Sequence, residues 1–474
     1  MNSFKNVILH SICFLLIFTA FQTNYGISQR VLTSYQNETK NTTHPFTGID
    51  GFTSNAVLYA SFSIFNWFAP VIISILGTEM SMFFSSITFA IYLSAYIVPN
   101  AMVLYSVSGL VGVGAAVLWT AQGTFISKNS TNETRKRNNG VFWACFQASL
   151  IVGNVYVYFS WKGIDEIESK QRIPLYSVFT GLAGLGCIGF LFLGNGGSQL
   201  DSTYAEIDDN DESDIENEEN NEIDLNAGIG ENFENGEDYE NDEDILIAPP
   251  TTTEFQKCLT ILKQAVSLLT TSSMLLTTIT FAYTGFSLSF WSAIYPTCIA
   301  NTKSFGVDTD SLLGINGIVM GSGQVAGGLL FSILPSFSTP NSILSKLDKR
   351  LIICLGFFTQ TIGYALFILN FGNDCENGKS IVFEETNYSV SLVIAFLLGF
   401  GDCCFNTQIY NHLGDVHTEN PAPAFAIFKS VQSVFAAIGF FGTRKIGMIV
   451  EGLVLAVFSG VSAISFVVMC HFID

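Results

Sequence analysis

Three stretches of this chain are too long and too bare of charge to belong to a soluble core. No Asp, Glu, Lys or Arg interrupts Val7 to Gln29, Gly51 to Thr78 or Met80 to Ser127. A helix crosses about 30 Å of hydrocarbon with roughly 20 apolar residues, whereas buried helices of soluble proteins offer runs of about 10–14. The pattern therefore predicts an all-α membrane protein. Charged residues make up 13% of the chain, about half the share usual in soluble domains.

That reading conflicts at first with a formal net charge of −20. The conflict is local. The segment from Asp201 to Asp244 holds 20 of the 40 acidic residues and no Lys or Arg, so the remainder has 20 acids against 20 bases. Mean hydropathy stays positive at +0.41. The chain reads as a neutral, apolar body with one acidic segment set into it. No basic stripe is present to neutralise phosphates, which excludes a nucleic-acid partner.

Twelve spans are expected, near 6–25, 51–76, 80–98, 101–126, 140–161, 174–194, 266–296, 311–335, 350–370, 389–410, 422–442 and 447–470. They divide as two six-helix halves, 1–194 and 264–474, joined by an acidic linker over 195–263. The linker is rich in Asn and poor in aromatic residues. It buries too little apolar surface to offset its ordering entropy, so it is expected to be disordered. The first span also has the look of a leader, with Lys5 before an apolar run and Thr19-Ala20-Phe21 as a cleavage-like site. Polar Gln22, Thr23 and Asn24 continue the segment, which favours a retained helix.

Lys and Arg fall almost equally on the two sides of this topology, so the positive-inside rule does not set the orientation by itself. The cluster Arg135-Lys136-Arg137 places the loop between spans four and five in the cytoplasm, and with it both termini. The glycosylation sequons at Asn37, Asn41 and Asn387 then share the external side. Those at Asn129 and Asn132 lie beside the basic cluster and are expected to be silent. The resident membrane is the plasma membrane or an endomembrane.

The halves echo one another. Span four carries Gly112-x-Gly114 with Thr120 six residues on, and span ten carries Gly399-x-Gly401 with Thr407 at the same offset. Gln122 and Gln408 follow. Spans five and eleven hold Phe146-Gln147-x-Ser149 and Val431-Gln432-Ser433. Matching four with ten and five with eleven is what a parallel repeat of six helices requires, and such a repeat frames a cavity near the bilayer midplane.

No enzyme constellation is present: there is no His-Glu-x-x-His, no Gly-x-Ser-x-Gly and no phosphate-binding Gly-rich loop. Nothing calls for a metal or a cofactor. His412 and His417 are read as solvated loop residues. The ten cysteines show no metal spacing; Cys298 and Cys375 fall near external loops, where a disulfide between them competes with two free thiols.

The chemistry points instead to charge inside the membrane. Asp402 in span ten and Lys429 in span eleven each cost about 2.5–3.5 kcal/mol on insertion scales when alone, and such residues usually serve function. With span ten ending near Tyr410 and span eleven starting near Pro421, both lie about 12 Å deep at about 1.5 Å per residue. They form a candidate pair, either coupling a cavity to a gradient or fixing the packing of two helices. Gln122, Gln147, Asn154, Gln408 and Gln432 are candidate cavity-lining residues, with interhelical hydrogen bonding as the competing role. The glycines of span eight, Gly314 to Gly328, read as a close-packing face.

Longer segments carry a resemblance. Phe18-Thr-Ala-Phe-Gln-Thr23, Val117-Leu-Trp-Thr-Ala-Gln-Gly123, Gly140-Val-Phe-Trp-Ala144 and Gly153-Asn-Val-Tyr-Val-Tyr158 resemble the uncoordinated-93-like family. So do Ala282-Tyr-Thr-Gly285, Leu398-Gly-Phe-Gly-Asp-Cys-Cys-Phe-Asn-Thr-Gln408 and Ala422-Pro-Ala-Phe-Ala-Ile-Phe-Lys429. The match is nearest to the orphan, major-facilitator-domain-containing branch. The resemblance implies a major facilitator fold of twelve helices. It does not imply a settled activity; the reading as a non-enzyme rests on the missing catalytic motifs. The family takes its name from a regulatory partner of a two-pore potassium channel, a second branch escorts nucleic-acid-sensing Toll-like receptors, and the orphan branch is described as transporter-like. The expected partners are thus the lipid bilayer, a potassium channel or membrane receptor, or a small solute. One departure from the wider superfamily stands out. The loop between spans two and three, where transporters carry a basic latch, reads Gly77-Thr78-Glu79-Met80.

Overall fold

The computed structural model describes residues 3–40, 50–131, 134–164, 167–194, 263, 266–305, 309–330, 348–372, 381, 385–417, 421–442 and 447–473. Residues 195–262 of the expected linker, the sequons at Asn41 and Asn132, and Cys375 lie outside the described residues.

Polar residues at the ends of the apolar runs start the helices. Asp50, Asn100, Thr271 and Asn387 each accept a hydrogen bond from a backbone N–H in the first turn that follows, which satisfies donors no helix can satisfy internally. The helices of the first half are α1 (Ser3–Thr39), α2 (Gly51–Phe65), α3 (Ala69–Leu76), α4 (Thr78–Ser94), α5 (Ala101–Lys128), α6 (Arg135–Trp161) and α7 (Ser169–Phe190). Helices α2 and α3 meet at 67° and together make one bent stretch; Pro70, in the first turn of α3, suits a fresh helix start. The second half has α8 (Ser272–Ser289), a π-helical turn (Phe290–Ile294) and α9 (Tyr295–Asn301) in one stretch, then α10 (Thr309–Gly328), α11 (Lys349–Phe371), α12 (Tyr388–Val416), α13 (Pro421–Gly442) and α14 (Met448–Ile473).

Among the described residues these group into twelve helical stretches. Among the described residues, eight helices are long and apolar enough to cross a membrane, nine with the bent pair counted as one. The stretches α4, α8–α9 and α10 are shorter or less apolar. Large apolar side chains face outward, with Met102 80% and Phe159 72% exposed, as a bilayer rather than water requires.

Helix α1 packs on α6 and α7, α5 on α2 and α4, and α4 on α7; in the second half α8 packs on α13 and α14, and α12 on α10 and α11. The halves meet along α6–α10 and α2–α13, with α5 also touching α13. The glycine echo explains part of this order. A Cβ at Gly112 would run into the Leu58 carbonyl of α2, and one at Gly114 into Thr88 of α4; a Cβ at Gly399 would run into the Met320 carbonyl of α10, and one at Gly401 into Gln360 of α11. Each Gly-x-Gly thus lets the fourth stretch of its half lie against the second and third. The span-eight glycines behave as a close-packing face: Gly317 sits against the Asn154 amide and Gly323 against the Phe396 carbonyl.

Four expectations change. Helix α1 runs to Thr39, well past the span expected to end near residue 25. Helix α12 runs to Val416, past Tyr410, because apolar and polar residues here pack inside the bundle rather than forming a loop. As a result His412 is buried on α12, its ring 5.8 Å from that of Phe466, and is not a solvated loop residue. The same extension removes the premise of the equal-depth argument, since Asp402 lies fourteen residues before the end of its helix and Lys429 eight after the start of the next.

Candidate functional site

Between the halves lies a partly open cavity. Helices α1, α2, α5 and α6 line it from one side, the α8 stretch, α12 and α13 from the other. Its wall is largely aromatic, with Trp119, Trp143 and Phe146 facing Trp291. Asp402 and Lys429 both open onto it, although each is buried, at 5% and 6% exposure.

The carboxylate of Asp402 is held by donors from three helical segments. Trp291 Nε1 donates to Oδ1 at 3.2 Å, Asn406 Nδ2 to Oδ1 at 3.1 Å, and Gln324 Nε2 to Oδ2 at 3.3 Å. Trp291 reaches it from the π-helical turn. The amide of Tyr295 bonds back to Phe290 there, five residues earlier, and Pro296 just beyond has no N–H to continue an α-helical ladder. Three charge-assisted bonds compensate a buried carboxylate that would otherwise be costly.

Lys429 is held differently. Its Nζ donates to Gln432 Oε1 at 2.9 Å and lies 4.5 Å from the ring centre of Phe428, 4.7 Å from Trp119 and 5.2 Å from Tyr410. Ring faces stabilise a desolvated ammonium through their quadrupoles. Gln432 Nε2 in turn donates to Thr284 Oγ1 at 3.1 Å and to Asn406 Oδ1 at 3.4 Å. A relay of two amide side chains therefore runs from the ammonium to the carboxylate. No direct ion pair joins Asp402 and Lys429 among the described residues.

The other candidates separate. Gln147 and Gln432 line the main cavity with the two charges. Asn154 lines a smaller neighbouring cavity, which shares Gln22 and Trp291 with the main one, and its Nδ2 donates to the Leu150 carbonyl at 2.8 Å. Gln122 and Gln408 line neither. Both amide heavy atoms of Gln122 are buried without a hydrogen-bond partner, and Gln408 donates to the neighbouring Thr407 hydroxyl. Asn406, Gln324, Trp291 and Trp119 were not singled out from the sequence. The signal for Asn406 was available, since it stands four residues after Asp402 on one helix face. Nothing local in the sequence announces that Trp291 reaches across to α12.

One end of the bundle is tied across the halves. Arg135, at the start of α6, donates to the Gly414 carbonyl near the end of α12 at 2.8 Å. Asn129 is at this end: it is buried and accepts from Asn6 near the start of α1 at 3.2 Å. Asn37, at the far end of α1, and Asn387, at the start of α12, are exposed at the opposite end. Beside Asn37, Glu38 bonds Arg172 of α7 at 2.9 Å. Cys298 is buried on α9, with its sulfur 3.7 Å from that of Met448.

A multi-span membrane protein with two helical halves around a central cavity has the architecture of the major facilitator superfamily. A crystal structure of the transporter FucP in an outward conformation superposes with a TM-score of 0.58, covering 97% of this chain and 98% of that one at 12% sequence identity, a likeness of fold alone. The family model described as "Ion channel regulatory protein UNC-93" matches residues 42–467. The UNC93-like protein MFSD11 of Xenopus tropicalis is 33% identical over 466 residues, 97% of this chain and 94% of that one. Protein unc-93 homolog A of Danio rerio is 28% identical over 196 residues, 39% of each chain. The chain belongs to the UNC-93 family.

Proposed function

We propose that this protein is an accessory or regulatory subunit of another membrane protein, an ion channel of the potassium-selective kind being the favoured client. The family description supports a channel partner. The structural observation that carries the reading is the junction of the second and third helical stretches. Only Gly77, exposed and at φ 77°, separates α3 from α4, and Glu79 follows. The junction, Gly77-Thr78-Glu79-Met80, lacks the base of the latch that holds transporter conformations, which weakens the case for ordinary alternating access. No catalysis is proposed. The termini, the 195–263 linker and the Arg135 end are placed in the cytoplasm, with Asn37, Asn41 and Asn387 external and glycosylated.

The alternative is a secondary transporter of a small solute. Its support is the cavity between the halves with two buried charges on its wall. Co-expression with candidate potassium channels in oocytes, together with affinity purification from native membrane, tests the first reading. Altered current and a co-purified channel are expected. Gradient-driven solute flux in proteoliposomes that Asp402→Asn abolishes, with no channel recovered, would establish the alternative and sink the accessory role.

A further inference from the structure

The two charges on the cavity wall differ in what they leave unmatched. Asp402 accepts from three donors, so two carboxylate oxygens, with about four acceptor sites between them, are nearly filled. Lys429 has three N–H donors and gives one of them to Gln432; its other neighbours are ring faces. Two donors of an ammonium remain for whatever enters. A charge-assisted bond from such a buried group is shorter and stronger than a neutral one. The unmatched capacity of the cavity is thus positive, although its formal charge is balanced.

The wall sets the rest of the ligand. Phe18, Tyr59, Phe62, Trp119, Trp143 and Phe146 present apolar ring surface, the kind of lining that small-molecule sites combine with a few placed polar groups. We propose that the cavity binds a small organic anion with a flat apolar body, its carboxylate on Lys429 Nζ and its ring against the aromatic wall. A cationic ligand meets the opposite conditions. The Asp402 oxygens are taken by Trp291, Asn406 and Gln324, the nearest ring faces already hold an ammonium, and that ammonium repels a second one.

The proposal is independent of the accessory role, since it concerns the purified protein without a client. The test uses the full-length chain in detergent and three probes of one shape: 3-phenylpropanoate, 3-phenylpropanamide and 3-phenylpropylamine. A ligand bound only to the folded state raises the melting temperature with concentration. The acid is expected to do so at least ten-fold more effectively than the amide, and the amine not at all. Lys429→Met is expected to lose the response and Lys429→Arg to keep part of it. Should Lys429→Met fail to fold, Asp402→Asn decides, because removing the neighbouring negative charge is expected to strengthen acid binding. An amine that stabilises as well as the acid overturns the proposal. So does a cooperatively melting wild type that ignores the acid, a folded Lys429→Met that still responds, or an Asp402→Asn protein that binds the acid more weakly.

Discussion

The ammonium of Lys429, carried by the second half, lies 4.7 Å over the indole of Trp119, carried by the first. The cation therefore belongs to both halves at once. A second link runs beside it, since Ser430 Oγ donates to the Ser63 carbonyl at 2.9 Å. The charge expected from the sequence to serve a pair with Asp402 also fastens the seam where α13 meets α2 and α5.

Trp119→Leu should loosen that seam. A cation over a desolvated ring contributes about 2 kcal/mol, and the smaller leucine leaves a cavity costing less than truncation to Ala, which costs about 3–5 kcal/mol. The expected outcome is a fall of several degrees in the melting temperature of the purified protein. Trp119→Phe should recover part of it. An unchanged melting curve for both would show that the ring does not hold the ammonium.

The amide relay predicts coupling without contact. Asp402→Asn and Lys429→Gln should each destabilise, by up to about 3–5 kcal/mol if the remaining charge stays ionised. The double neutral variant should cost less than the sum, by on the order of 1 kcal/mol. Denaturation of all four proteins gives the cycle. Strict additivity would mean that Gln432 and Asn406 transmit nothing between the two groups.

Gly112→Val and Gly399→Val should behave alike, because each places side-chain atoms against a carbonyl of the second stretch in its half. Overpacking of this kind costs about 1–3 kcal/mol. Fluorescence-detected size exclusion should show a reduced monodisperse peak for both. A variant at Gly181, where a Cβ meets nothing within 4 Å, should elute as wild type.

Glycosidase treatment after expression in cultured animal cells reads the orientation. Asn37→Gln and Asn387→Gln should each remove one mobility step, and Asn129→Gln none, since Asn129 is buried at the opposite end. A step lost with Asn129→Gln would reverse the assignment of sides.

Much of the architecture was legible because lipid makes strong demands on sequence. Long uncharged runs announce the spans, and Gly-x-Gly recurs where backbones must touch. Helix ends were harder. In α12 polar residues such as His412 continue the helix inside the bundle, where a hydropathy reading ends it. The site was half legible. An isolated Asp and an isolated Lys in apolar runs are conspicuous, and Gln147 and Gln432 lie with them. That Gln122 and Gln408 fall elsewhere depends on rotation about the helix axis, which an echo of residue types does not specify. Trp291 was invisible for a related reason: its reach depends on a local departure from α-helical geometry.

That departure sets the register of one helical stretch against the site. A π-helical turn holds one residue more per hydrogen-bonded loop than an α-turn, so the Phe290–Ile294 turn is equivalent to a single inserted codon. Deleting one residue there would restore an unbroken helix while turning everything on one side of the cut by about 100°. Trp291 would swing off the carboxylate of Asp402, with every other residue of the site still in place. Relatives that keep the Asp but lack this insertion would therefore share the charge and not its anchorage, and an alignment that scores substitutions alone would record them as equivalent.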